Sequence, residues 1–215
     1  MAIPTVVLVR HGETELNKQG MLRGWTDVPL DSKGQKEAAE TGKEVAEEWP
    51  ITKIYAANLR RVMQSTEPLE KDLGIKADFV QDLRPWNGGV LAGRKVPNIE
   101  EKIRYYINHP TKAPEEGEPM KEFLQRLLHF MSGVFDEANE ADGPIAVVTS
   151  IRPIEAIIGY IEAGMNDTTI NPDRLEAKKE TVPPSGVVVL TNPKKRDDWK
   201  VSIWKDGGGR VGAKG

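Results

Sequence analysis

Two uninterrupted apolar, β-branched runs and a long amphipathic helical segment between them predict a three-layer α/β/α sandwich with a mostly parallel central sheet. Thr5-Val6-Val7-Leu8-Val9 and Ile145-Ala146-Val147-Val148-Thr149 show no polar alternation. Strands of that kind are buried on both faces, and a sheet covered on both faces needs helices above and below it. The segment Glu118 to Glu140 repeats Phe123, Leu124, Leu127, Leu128, Phe130, Met131, Val134 and Phe135 at helical spacing, the pattern of a helix laid on a core.

The remaining elements follow in chain order. Ser32 to Glu48 reads as a helix with Ser32 as its cap and Ala38, Ala39, Val45 and Ala46 on its buried side,. Lys53 to Ala57 is a short strand that runs into a helix from Leu59 through Thr66. Ala77 to Leu83 predicts a further strand, after which Pro85, Gly88, Gly89, Gly93 and Pro97 predict a loop with few backbone constraints through Asn98,. The stretch from Val90 to Glu118 contains no legible motif. A helix starts near Pro153, where a first turn tolerates proline, and late strands are expected at Gly186 to Leu190 and Val201 to Trp204. Residues 1–205 are expected to form one domain and 206–215 a glycine-rich tail without a core pattern.

Composition narrows the function classes. The chain has 215 residues, 38% hydrophobic and 29% charged, which is enough to bury a full core. No apolar run approaches the roughly 18 residues of a membrane span, and Met1 to Val9 lacks a signal-peptide layout, so the expected address is the cytoplasm with no membrane partner. A net charge of −3 argues against nucleic acid. With no cysteine and three scattered histidines, neither a metal nor another cofactor is expected.

Chemistry gathers where strands end. Sheets of this class bind ligands at the carboxyl ends of their strands, and three such ends carry Arg10-His11-Gly12, Asn58-Leu59-Arg60-Arg61 and Ser150-Ile151-Arg152. Arginine forks match phosphate oxygens, and Gly12 is expected to let the backbone approach a ligand. Flanking arginines disfavour a protonated imidazole, so His11 should stay neutral and keep a lone pair for attack on phosphorus. Asn17 can cap a turn or touch the ligand, while Arg84 and Arg152 read first as surface residues, with added phosphate contacts at the pocket mouth as the alternative. Trp25 and Trp86 can wall a pocket or pack the interior. His109 and His129 have no partners that would make them ligands.

Leu8-Val9-Arg10-His11-Gly12-Glu13-Thr14 with Asn17, then Gly24-Trp25-Thr26-Asp27-Val28-Pro29-Leu30 with Lys33-Gly34, then Leu59 to Ser65, appear in order. Together with Gly117-Glu118 and Ile145 to Thr149, they resemble the histidine phosphatase superfamily, which includes the cofactor-dependent phosphoglycerate mutases. The resemblance runs from about residue 5 to 160. It implies a phosphoryl group taken by His11, with Arg10 and Arg61 neutralising its equatorial oxygens and no metal required. Arg10, Gly12, Asn17, Arg61 and Ser150 would bind the substrate, a phosphorylated small molecule or phosphate.

Two positions depart from that pattern. Ser150 stands where the family has a second histidine, and Pro85 and Asn87 stand where relatives carry carboxylates. Neither serine nor asparagine replaces the missing charge or acid, and Glu13, Asp82 and Glu100 are weak substitutes. The expected function is phosphomonoesterase-type chemistry through phosphohistidine at His11, weakened or lost. The alternative is a non-catalytic binding or structural subunit, as a homo-oligomer or within a larger assembly.

Overall fold

The computed structural model describes residues 2–165, 182–194 and 198–205; the glycine-rich end expected from 206 lies outside them. Six strands form one sheet in the order β3-β2-β4-β1-β5-β6: β1 (Thr5–Arg10), β2 (Lys53–Ala57), β3 (Asp78–Val80), β4 (Ile145–Thr149), β5 (Val187–Thr191) and β6 (Lys200–Lys205). The pairs β1/β4, β2/β4 and β2/β3 are parallel, and β5 is antiparallel to both of its neighbours. Only β5 therefore runs against the rest. Every residue of β1 and β4 is buried, as their unbroken apolar runs require, since no position on either strand faces water.

The covering helices are α2 (Ser32–Glu48), α3 (Arg60–Leu73), α5 (Met120–Glu140) and α6 (Ile151–Glu162), with α1 (Glu15–Lys18) and α4 (Glu100–Asn108) nearer the mouth of the site. The helices pack in pairs, α2 on α3 and α5 on α6. Gly42 permits the first pairing: a Cβ there would meet the backbone of Leu69 and the ring of Pro68 at 3.0 Å. The long helix buries Phe123, Leu127, Met131, Val134 and Phe135, the stripe its spacing predicted.

Four expectations are corrected. The cap of α2 is Asp31, whose Oδ1 accepts from Gly34 N–H at 2.7 Å, with Ser32 as the first helical residue. Only Asp78–Val80 of the expected strand from Ala77 to Leu83 pairs with β2, because the chain turns at Gln81, whose carbonyl accepts from Arg84 N–H. The illegible stretch from Val90 to Glu118 contains α4, which buries Ile103 and Ile107 one turn apart.

The fourth correction concerns the loop through Asn98, which is tied down rather than free. The Arg126 guanidinium on α5 donates to the carbonyls of Asp82, Arg84 and Pro85 at 2.8 to 3.0 Å. It also bridges both carboxylate oxygens of Glu118 at 3.0 and 2.7 Å. Glu118 in turn accepts from Asn87 N–H at 2.7 Å. Farther along, Gly93 and Val96 donate to the carbonyls of Leu22 and Gly20. One α5 side chain and a short backbone ladder thus replace the order that a helix or strand would have supplied.

Candidate active site

The site begins with strand register. Arg10 pairs with Thr149 in the parallel β1/β4 ladder, and His11 N–H donates to the Thr149 carbonyl at 2.9 Å. The next residue of each strand, His11 and Ser150, therefore lies side by side at the carboxyl end of the sheet. Gly12 N–H donates to Ser65 Oγ at 3.0 Å, which sets the first turns of α3 against the same end and brings Arg61 with them. Both α3 and α6 start here without a side-chain cap, so the positive ends of two helices point into one region.

His11 has no exposed surface. Its Nδ1 lies 2.7 Å from the Gly12 carbonyl; a carbonyl only accepts, so Nδ1 carries the proton and Nε2 keeps the lone pair. Burial holds the imidazole well below its ordinary value near 6.5, and the charges of Arg61, Arg23 and Arg10 push it further down. His11 is therefore neutral at pH 7, as expected from its neighbours.

Arg61 is fully buried while Arg60 is exposed. Its Nη1 and Nη2 donate to the carbonyls of Thr26 and Gly24 at 2.8 and 2.9 Å. Burial, followed by the Arg23 charge, lowers the guanidinium to about 9, so it remains cationic at pH 7. Among the described residues, His11 Nε2, Arg61 Nε and Ser150 Oγ are buried without a hydrogen-bond partner. Buried polar atoms left in that state are costly, and these three belong to residues that the strand register and the Gly12–Ser65 bond bring to the same end of the sheet.

A cavity of about 610 Å³ opens beside this cluster, and Asn17, Arg61 and Ser150 are on its wall. Neither Arg10 nor His11 is on that wall; both are fully buried behind it, and Arg10, whose Nη1 donates to the Val182 carbonyl, acts on His11 through its charge. Asn17 serves a capping box, its Oδ1 accepting from Thr14 N–H and Oγ–H at 3.2 and 2.6 Å, so its Nδ2–H is what it can offer a ligand. The constraint on Gly12 differs from the expected one. A Cβ there would stand 2.3 Å from the Gly34 carbonyl, so two glycines are needed for the backbones to touch.

Arg23 was missed by sequence reasoning. It is half-buried, lines the cavity, and is the second charge acting on His11. It sits on a loop held by Arg61, which clasps the adjacent Gly24 and Thr26 carbonyls, and by the backbone bonds of Gly20 and Leu22 to residues 93–96, so only the run Arg23-Gly24-Trp25 hinted at it. Arg152 also lines the cavity and is paired with Glu155 at 3.1 Å. Arg84 instead stacks on Trp25, 4.7 Å from the ring centre. Trp86 forms part of the wall, whereas Trp25 borders a separate groove.

Of the carboxylates weighed as substitute acids, Glu100 is on the cavity wall. Asp82 is exposed, and Glu13 is paired with Lys33 at 2.8 Å. Pro85 faces the cavity, while the Asn87 side chain bonds to the loop's own backbone at Gly89 and Glu116. Among the described residues no helix is long and apolar enough to cross a membrane.

Residues 6–176 match the histidine phosphatase superfamily (branch 1). Two relatives called probable phosphoglycerate mutase GpmB, from Escherichia coli O1:K1 and Salmonella arizonae, are 34% and 31% identical over 128 and 127 residues. Each match covers 57% of this chain and 59% of the relative. A mycobacterial glucosyl-3-phosphoglycerate phosphatase superimposes with a TM-score of 0.76 at 18% identity, covering 96% of this chain and all of the other. A phosphoglycerate mutase from Bacillus anthracis gives 0.71 at 18% identity, over 94% of this chain and 92% of its own. At such identities the similarity is one of fold. The matched span contains Arg10, His11, Asn17, Arg61 and Ser150, and the chain belongs to the histidine phosphatase superfamily (branch 1).

Proposed function

We propose that this chain binds phosphomonoesters at His11 and transfers their phosphoryl group to Nε2, with turnover weakened by Ser150. The observation that carries this reading is the buried cluster of His11 Nε2, Arg61 Nε and Ser150 Oγ, each lacking a partner beside a cationic centre. In the first step the Nε2 lone pair forms the N–P bond as the ester P–O bond breaks and the alcohol oxygen leaves with the electron pair. The leaving oxygen takes a proton from solvent; in the second step water attacks phosphorus, the N–P bond breaks with its electron pair returning to Nε2, one water proton goes to solvent, and inorganic phosphate and neutral His11 are recovered. Arg61 and Arg23 neutralise the oxygens during both steps.

The weak point is Ser150, since a hydroxyl brings no positive charge and a charge-assisted bond is worth about 1.5–3 kcal/mol. Pro85 on the wall supplies no proton to a poor leaving group, which costs roughly 10²–10⁴-fold. These two positions favour a second reading, a phosphate-binding protein without turnover. Rapid quench with an aryl phosphate separates the two. Acid-labile, base-stable phosphate on His11, lost in His11→Ala, supports transfer; vanadate binding without any phosphoprotein supports the binding role. A mycobacterial phosphatase of the same fold has been solved with VO3, which makes vanadate a suitable probe.

A further inference from the structure

Beyond the phosphate cluster, the cavity has a chemical character of its own. Much of its wall is made of Leu22, Ile103, Ile107, Met120, Phe123 and Ile151, contributed by four separate segments of the chain. Five of the six are buried core residues or nearly so, with Ile103 and Ile107 presented by α4 and Met120 and Phe123 by the start of α5. A volume of about 610 Å³ falls in the range that encloses most of a drug-sized ligand. A group with only three carbons and two oxygens would leave much of this wall facing water.

The cations at the mouth are already matched. Arg152 pairs with Glu155 at 3.1 Å and Arg104 with Glu100 at 3.4 Å. A second anion on the substrate would meet guanidinium charges that a carboxylate already offsets, with Glu155 and Glu100 themselves on the wall. Away from Arg61 and Ser150 the wall is mostly apolar, and that part of the cavity rewards apolar area,.

We infer that the cavity beside His11 selects phosphomonoesters of apolar alcohols or phenols, with an aryl or branched alkyl group and no second anion, over phosphorylated hydroxy acids. This rests on the reading of His11 as the phosphate site and adds the organic half of the substrate. The phosphate sits at His11 and Arg61, the ester oxygen faces the Pro85 and Trp86 wall, and the apolar group lies between α4 and the first turn of α5. Such an ester must be supplied by phosphorylation of an apolar alcohol, and its product is that alcohol.

Phosphonates test this without turnover, because their C–P bond is not transferred. Calorimetric titrations would compare inorganic phosphate, methylphosphonate, carboxyethylphosphonate and naphthylmethylphosphonate. The naphthyl compound should bind about 30-fold or more tighter than methylphosphonate from burial of its rings, and the carboxyethyl compound no tighter than the methyl. Ile107→Asp should remove most of that advantage while leaving the affinity for inorganic phosphate unchanged. Val96→Asp, at a half-buried position on the same wall, should reduce it without burdening the core. If phosphate binds but the naphthyl group adds nothing, if the carboxyethyl compound binds tightest, or if neither variant alters naphthyl affinity, the substrate class is wrong and the phosphate site stands. If inorganic phosphate and vanadate both fail to bind, the phosphate site itself is wrong.

Discussion

Replacing Ser150 with histidine restores a cation at the position that the strand register sets beside His11. Ser150 is 3% exposed, is the first residue after β4, and keeps its Oγ free of any helix-capping bond. Because it lies on the cavity wall, a larger side chain can extend into open space rather than into the core. One charge-assisted contact of about 1.5–3 kcal/mol that strengthens as charge shifts onto the phosphoryl oxygens corresponds to roughly ten- to a hundredfold in kcat. The new imidazole would stand near Arg61 and Arg23, which disfavour its protonated form, and only bound phosphate offsets them. The gain should therefore be larger at pH 6 than at pH 8. Steady-state hydrolysis of an aryl phosphate by both proteins, with kcat and KM separated, measures it. If Ser150→His folds, binds vanadate and shows no gain at either pH, the reading of Ser150 as the weakened element of a transfer site is wrong.

Arg23→Gln should weaken phosphate binding by roughly ten- to a hundredfold, since it removes one charge-assisted partner, and should move the His11 pKa back toward its ordinary value; unchanged affinity and titration would reduce Arg23 to a wall residue. The His11 pKa is depressed in the folded state, so below pH 6.5 the unfolded chain binds the extra proton and stability falls as pH falls. Urea unfolding of His11→Gln against wild type should thus show the variant gaining about 1.4 kcal/mol in relative stability between pH 7.5 and 5.5, and parallel curves would contradict a buried neutral histidine. Gly12→Ala should cost about 1–3 kcal/mol by the same assay, because the new methyl meets a backbone carbonyl that cannot rotate away; a neutral result would mean that the Gly12–Gly34 contact yields easily.

How much of this was legible in the sequence depends on whether the deciding contact is local. β1 and β4 were legible because a strand buried on both faces must be apolar throughout, and Val6 to Val9 and Ile145 to Val148 are. Arg61 could be preferred to Arg60 from its motif, and the structure buries one and exposes the other. The helix α4 did leave a signal, Ile99, Ile103 and Ile107 four residues apart, but the glycines and prolines just before it and Pro110 just after it obscured the period. Arg23, the Arg126 clasp and the role of Gly12 were not legible. Each depends on a partner far along the chain: Gly24 held by Arg61, the carbonyls of Gln81, Asp82, Arg84 and Pro85 held from α5, and Gly34 against Gly12.

Histidine NMR tests the central claim most directly, since the chain has three histidines and only His11 is buried. With ¹⁵N-labelled imidazoles, one ring should remain neutral well below pH 6.5 with the proton on Nδ1, and vanadate should shift that ring's Nε2 resonance while the other two rings are unchanged. If the buried ring titrates near 6.5, or if vanadate leaves it unperturbed, His11 is not the nucleophile of a phosphate site.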